Sequence, residues 1–204
     1  MRPEAVREEL DRTVAAAVRP VAAGLAAAYA ALSVARFGMP DHPGHAVHFP
    51  VGAGSAVALL GVVGLLRRRP PPAGRGHAVG AGLAALVLAN ATVDLVVESP
   101  DETTLFVLLV VGAGAVFLSW RWFAAVLVAA WACWLPVALV RGASNPREWA
   151  EFGAYLLTAT GLAVLVQRER LRAATRLAVR SVELGEALGR LRAVFEASPL
   201  AIVA

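Results

Sequence analysis

The sequence contains no lysine, so all 19 basic residues are arginine. Against 15 acidic residues they leave a formal net charge of +4. Such a balance raises nucleic acid as a partner, but the arginines argue against it by position. They gather at the ends of apolar blocks rather than along one face, which is the footprint of membrane topology. Cysteine is nearly absent. Cys133 stands alone inside an apolar block, so no intramolecular disulfide forms, and it reads as a small core hydrophobe. Charge of either sign is scarce at 17% of residues, against about 25% in soluble domains. Strict apolar–polar alternation is missing, which excludes a transmembrane β-barrel. No short apolar run followed by a small-residue cleavage site opens the chain, so the N-terminus does not read as a cleavable signal. Instead Glu4, Glu8, Glu9 and Asp11 alternate with Arg2, Arg7 and Arg12, which suits a short solvated helix.

What is present is apolar: 58% of residues, with a mean hydropathy of +0.65. These residues fall in blocks of roughly 17–22, the length at which a helix crosses a ~30 Å hydrocarbon core. A helix also satisfies its own backbone hydrogen bonds there. The blocks predict spans at about Val21–Ala35, Val51–Leu66, Ala78–Val97, Leu105–Trp120, Trp122–Val140 and Phe152–Val166. Pro70, Pro71 and Pro72 forbid continuation of the second, and Asn145-Pro146 marks a turn before the sixth. The expected fold is therefore an all-α polytopic bundle of about six transmembrane helices. Its expected organisation is a cytoplasmic segment 1–19, a membrane domain 20–167, a linker helix 168–197 and a closing segment 198–204.

Orientation follows from the arginines. Those before the first span, Arg67 to Arg69 and Arg75, Arg121, and Arg168 to Arg172 fall on one side of a six-span bundle. The positive-inside rule makes that side cytoplasmic, together with both termini, and makes the expected location the cytoplasmic membrane. Trp120, Trp122 and Trp149 fall at predicted interfaces, where aromatic belts form.

After Val166 the chain turns polar and helix-favouring. Ala174, Leu177, Ser181, Leu184, Leu188, Leu191 and Phe195 recur at alternating spacings of three and four, the a/d stripe of a two-stranded coiled coil. Gly185 and Gly189 weaken it by about 1 kcal/mol each relative to Ala. A marginal homodimer contact is expected. Ser198-Pro199 ends the helix, and Leu200 to Ala204 reads as the opening of a buried strand, cut short.

The segment Leu191-Arg-Ala-Val-Phe-Glu-Ala-Ser-Pro-Leu-Ala-Ile-Val-Ala204 resembles the entry into a PAS domain, where a helix ending in Phe-x-x-Ser-Pro leads into the first strand. Upstream, Thr103-Thr-Leu-Phe, Phe117-Leu-Ser-Trp-Arg-Trp-Phe123, Trp134 and Glu148-Trp-Ala-Glu-Phe152 resemble the six-span N-terminal region of some bacterial multidomain sensors. The resemblance implies an input module followed by PAS and output domains, the output being a histidine kinase or a diguanylate cyclase. It implies no ligand and no cofactor. No phosphoacceptor box, nucleotide-binding glycine segment or cyclase motif occurs within the sequence, so no enzymatic activity is expected of this chain itself.

Three constellations carry chemistry. Asp41, His42, His45 and His48 crowd one outer loop in a pattern that suits Zn²⁺ or Cu²⁺, or else forms a polar interfacial loop. Asp94 is the one carboxylate inside a span, about a turn from the outer end of the third helix, with Arg36 and Arg141 at the same depth as pairing partners. Asn90 lies one turn earlier on the same face and suits an interhelical hydrogen bond or a ligand contact. The expected function is a sensory or anchoring input module whose last span and linker helix, through Leu177, Leu184, Leu188, Leu191 and Phe195, relay a change to a PAS domain. The alternative is a small six-span transporter or channel, which the nearly apolar midplane disfavours.

Overall fold

A computed structural model describes residues 3–37, 45–69, 71 and 74–197. Asp41, His42 and the segment 198–204 lie outside the described residues, as do the side chains of His45, Glu196 and Ala197. The strand expected after Ser198-Pro199 falls in that set.

The described residues form six α-helices and no strand: α1 (Pro3–Phe37), α2 (His45–Arg68), α3 (Gly76–Val97), α4 (Thr103–Val116), α5 (Trp120–Arg141) and α6 (Pro146–Ala197). A single 3₁₀ turn, Pro100–Glu102, joins α3 to α4. All helices except α4 are long and apolar enough to cross a membrane. α1 is one helix of 35 residues with Pro20 in its interior, so the expected solvated segment and first span are continuous.

α3 lies centrally, against α1 and α2 on one side and α4 and α5 on the other, while α6 packs mainly on α4. Two apolar clusters result. Val14, Val18, Ala22, Ala26, Leu59 and Leu83 join α1, α2 and α3. Leu95, Phe106, Val110, Phe123, Trp134, Leu156 and Ala163 join α3 to α6. Close approach needs small residues, as it does where lipid supplies no hydrophobic drive for association. At Gly114 a Cβ would stand 2.6 Å from the Ala163 carbonyl oxygen, so only glycine lets α4 sit against α6. Gly112, by contrast, has open space around it.

The fourth helix differs from expectation. α4 has 14 residues, about 21 Å at 1.5 Å per residue, and stops at Val116 rather than Trp120. Phe117 and Ser119 are extended, at φ −77°, ψ 122° and φ −136°, ψ 124°. Extended backbone turns successive side chains to opposite sides. Phe117 therefore enters the α3–α6 cluster while Leu118 enters the α1–α2–α3 cluster. The Phe117 carbonyl loses its helical partner and accepts instead from Nε2 of the fully buried Gln167, at 3.4 Å. Burial and pairing of the freed carbonyl in this way offset the cost of leaving the helix there. α4 begins beside Trp134, whose Nε1 donates to Thr103, and its connection ends beside Gly80 and His77. It thus traverses α3 from end to end despite its length.

α6 runs unbroken for 52 residues, about 78 Å. Its first part is built into the bundle. Trp149 is buried against Trp134, with ring centroids 6.1 Å apart. Trp131 donates to Thr160 at 3.1 Å and meets Trp134 edge-on, so these two of the four tryptophans of α5 pack within the bundle. From Leu177 onward the apolar stripe is left largely uncovered among the described residues. Leu177, Leu184, Leu188, Leu191 and Phe195 are 66%, 63%, 59%, 54% and 70% exposed.

Candidate functional site

Ionisable side chains collect at the two ends of α3. At its C-terminal end Asp94 is almost fully buried, and Nδ1 of His48 from α2 donates to its Oδ1 at 2.5 Å. The other face of the imidazole meets a second carboxylate: Nε2 lies 2.9 Å from Oε1 of Glu98, off the line of a hydrogen bond. Arg36, near the end of α1, reaches both acids, with Nη1 3.6 Å from Asp94 and Nη2 3.8 Å from Glu98. Glu102 follows at the next interval of four. Burial first, then its hydrogen bond and charge repulsion with Glu98, push its carboxyl up to about 7. The repulsion is reinforced by Asp94 and Asp101.

Three elements make this site. α3 supplies Asp94 and Glu98 one turn apart on one face. α2 carries His48, wholly buried, on its first turns. α1 ends at Phe37, which puts Arg36 level with the end of α3, and Phe37 packs on Phe49 at 5.6 Å. A helix C-terminus carries partial negative charge, which makes it a poor place for carboxylates. Arg141 answers that charge. Its guanidinium donates to the carbonyls of Leu95 (3.0 Å), Val96 (2.6 Å) and Glu98 (3.2 Å), so it caps α3 and does not pair with Asp94 as expected.

Asn90 takes the interhelical alternative. Its Nδ2 donates to Ser55 Oγ of α2 at 2.9 Å and to the Leu86 carbonyl at 2.8 Å. It sits a turn below the acidic cluster and clamps α2 to α3. The structure thus gathers Asp94, Arg36 and His48, holds Asn90 just beneath them, and assigns Arg141 to the backbone. Of the expected metal set, only His48 has a described side chain, and it is engaged by Asp94 and Glu98. No group of three metal-ligating side chains poised for an ion occurs among the described residues. The Asp94, Glu98, Glu102 spacing was visible in the sequence as steps of four. Its significance was hidden because Ser99-Pro100 interrupts the helix between the last two.

At the other end of α3 a second pair forms. Asp11 of α1 accepts from His77 Nδ1 at 2.8 Å and from the backbone N–H groups of Gly76 and His77, both at 3.1 Å. Gly76 permits the approach, since a Cβ there would stand 2.5 Å from the Asp11 carbonyl oxygen. Asp11, expected on a solvated helix, is buried by this pairing, which the sequence does not signal because 66 positions separate the two residues.

Comparisons with protein-family models, with curated proteins and with solved structures found no match. The fold defines an all-helical protein with several helices able to cross a membrane.

Proposed function

We propose that this chain is the membrane-embedded input and anchoring module of a bacterial signal-transduction protein, with six spans, both termini cytoplasmic, and a homodimeric linker helix leading to a PAS domain and an output enzyme. The observation that carries the reading is α6. One uninterrupted helix runs from the bundle core, at Trp149 and Leu156, to a distal half whose leucine stripe has no partner among the described residues. A helix transmits displacement along its axis, and a/d leucines exposed at this level suit a second copy of the same helix. With α4 counted as a crossing completed by its extended exit, the arginine-rich ends fall together on one side.

In this reading the cluster around Asp94 is where a stimulus biases two packings of the bundle. A stimulus shifts such an equilibrium only through different affinities for the two states. Asp94, His48, Glu98 and Arg36 join the ends of α1, α2 and α3, so a change in their charge acts on three helices at once.

The test is disulfide cross-linking of the full chain in membranes, in a Cys133→Ala background that removes the native thiol. Leu184→Cys and Leu188→Cys should each cross-link between copies, and Asp94→Asn should change the yield severalfold. No cross-link at either position removes the dimer, and yields indifferent to Asp94→Asn remove the coupling. Solute flux through reconstituted vesicles would favour a transporter instead.

A further inference from the structure

A second site lies at the opposite pole, and it is independent of the signalling reading. Between the N-terminal turns of α1, the start of α3 and the start of α5 is a cavity of about 930 Å³, lined by Arg7, Asp11, His77, Ser119, Arg121 and Trp122 among others. Three features give it an anion's chemistry. Two guanidinium groups border it, and among the described residues neither Arg7 nor Arg121 forms a hydrogen bond or an ion pair. Its acidic neighbours are already satisfied. Asp11 accepts three N–H bonds, and Glu8 pairs with Arg12 at 3.2 Å. The 22-residue helix α5 opens there, and its N-cap residue Ser119 makes no side-chain cap, so the first-turn N–H groups retain donor capacity.

His77 supplies an independent observation. Its side chain is 9% exposed and lines the cavity, Nδ1 is committed to Asp11, and Nε2 has no hydrogen-bond partner. A buried nitrogen with no partner costs free energy unless something meets it. The Asp11 carboxylate behind the imidazole fixes the ring's orientation and leaves Nε2 as the edge that a phosphate oxygen or hydroxyl can meet. Trp122 beside Arg121 is the pairing of indole and guanidinium found where chains meet a lipid interface.

We infer that this cavity binds a phosphate group, as the headgroup of an anionic phospholipid or as a soluble phosphate, held by Arg7, Arg121, His77 and the N-terminus of α5. The two sources share one chemistry, tetrahedral oxyanion recognition by guanidinium and N–H donors.

Purified full chain in detergent would be titrated separately with phosphatidylglycerol and with inorganic phosphate. Retained lipid would be counted by native mass spectrometry and phosphate binding read from the thermal midpoint, with phosphatidylcholine and sulfate-free chloride buffer as references. Retention of one phosphatidylglycerol in preference to phosphatidylcholine identifies the lipid source. A rise in midpoint with phosphate alone identifies the soluble one. In either case Arg7→Gln with Arg121→Gln should weaken binding at least about tenfold, since charge-assisted hydrogen bonds are lost. Both arginines are exposed and unpaired, so the variant should fold. Arg67→Gln with Arg68→Gln, distant on the same arginine-rich side, should leave binding unchanged. Equal loss in the two double variants, or no binding of either probe by the parent chain, overturns the inference.

Discussion

The two ends of α3 hold the same pair of residue types, a buried histidine against an aspartate, and put them to opposite electrostatic use. At the N-terminal end Asp11 meets a helix dipole that welcomes negative charge, and its oxygens take three N–H donors. That carboxylate is saturated and acts as a clasp between α1 and α3. At the C-terminal end the dipole opposes negative charge, yet Asp94, Glu98 and Glu102 crowd there with His48 between two of them. Arg36 and Arg141 compensate only in part, one by loose ion pairs and the other by capping carbonyls. One carboxylate is saturated with donors, and at the other end like charges crowd with partial compensation.

The largest effect should come from unlocking the first pole. Asp11→Ala leaves a buried imidazole N–H and two backbone N–H groups without an acceptor and should cost about 3 kcal/mol, read from denaturant unfolding in detergent. Asp94→Asn keeps an acceptor for His48 and lowers the crowding of negative charge, so its cost should be about 1 kcal/mol or less in the same measurement. Equal losses in the two variants would make the outer cluster a second clasp and end the contrast.

The pH dependence should be visible but smaller. The Glu102 carboxyl holds its proton up to about 7 in the folded chain, while an unperturbed glutamate releases it near 4.5. The folded state therefore binds more protons between those values, and stability falls as pH rises through that window. Glu102→Gln should flatten the profile between pH 4.5 and 7, and an unchanged slope would assign the dependence elsewhere. The smallest effect should be that of Arg141→Gln. It removes a cation from the end of α3 and should cost about 0.5–1 kcal/mol at low salt, with less difference as salt is added.

Five of the expected helices, each long and apolar enough to cross a membrane, were legible because hydrocarbon imposes a length and a composition that local sequence must meet. Asp94 stood out for the same reason, as a carboxylate in an apolar block. The stripe from Leu177 to Phe195 was legible through its period. α4 was misjudged at its end because Phe117-Leu118-Ser119 is as apolar as a helix requires. Its extended form follows from two separate clusters that claim adjacent side chains. His48 looked like part of a loop with metal-binding neighbours, and became a partner of Asp94 only once α2 was laid along α3.

Sequence alone determined that this chain is helical, that its apolar blocks are long enough to cross a membrane, where its arginines fall and which carboxylate is out of place. These depend on each segment's own exchange between water and an apolar phase. The tertiary structure decided which histidine faces which acid, that Arg141 serves a helix end, that Gly76 and Gly114 are points of contact, and that among the described residues nothing covers the distal stripe of α6. Those facts depend on distances between residues tens of positions apart, which packing sets and local composition does not encode.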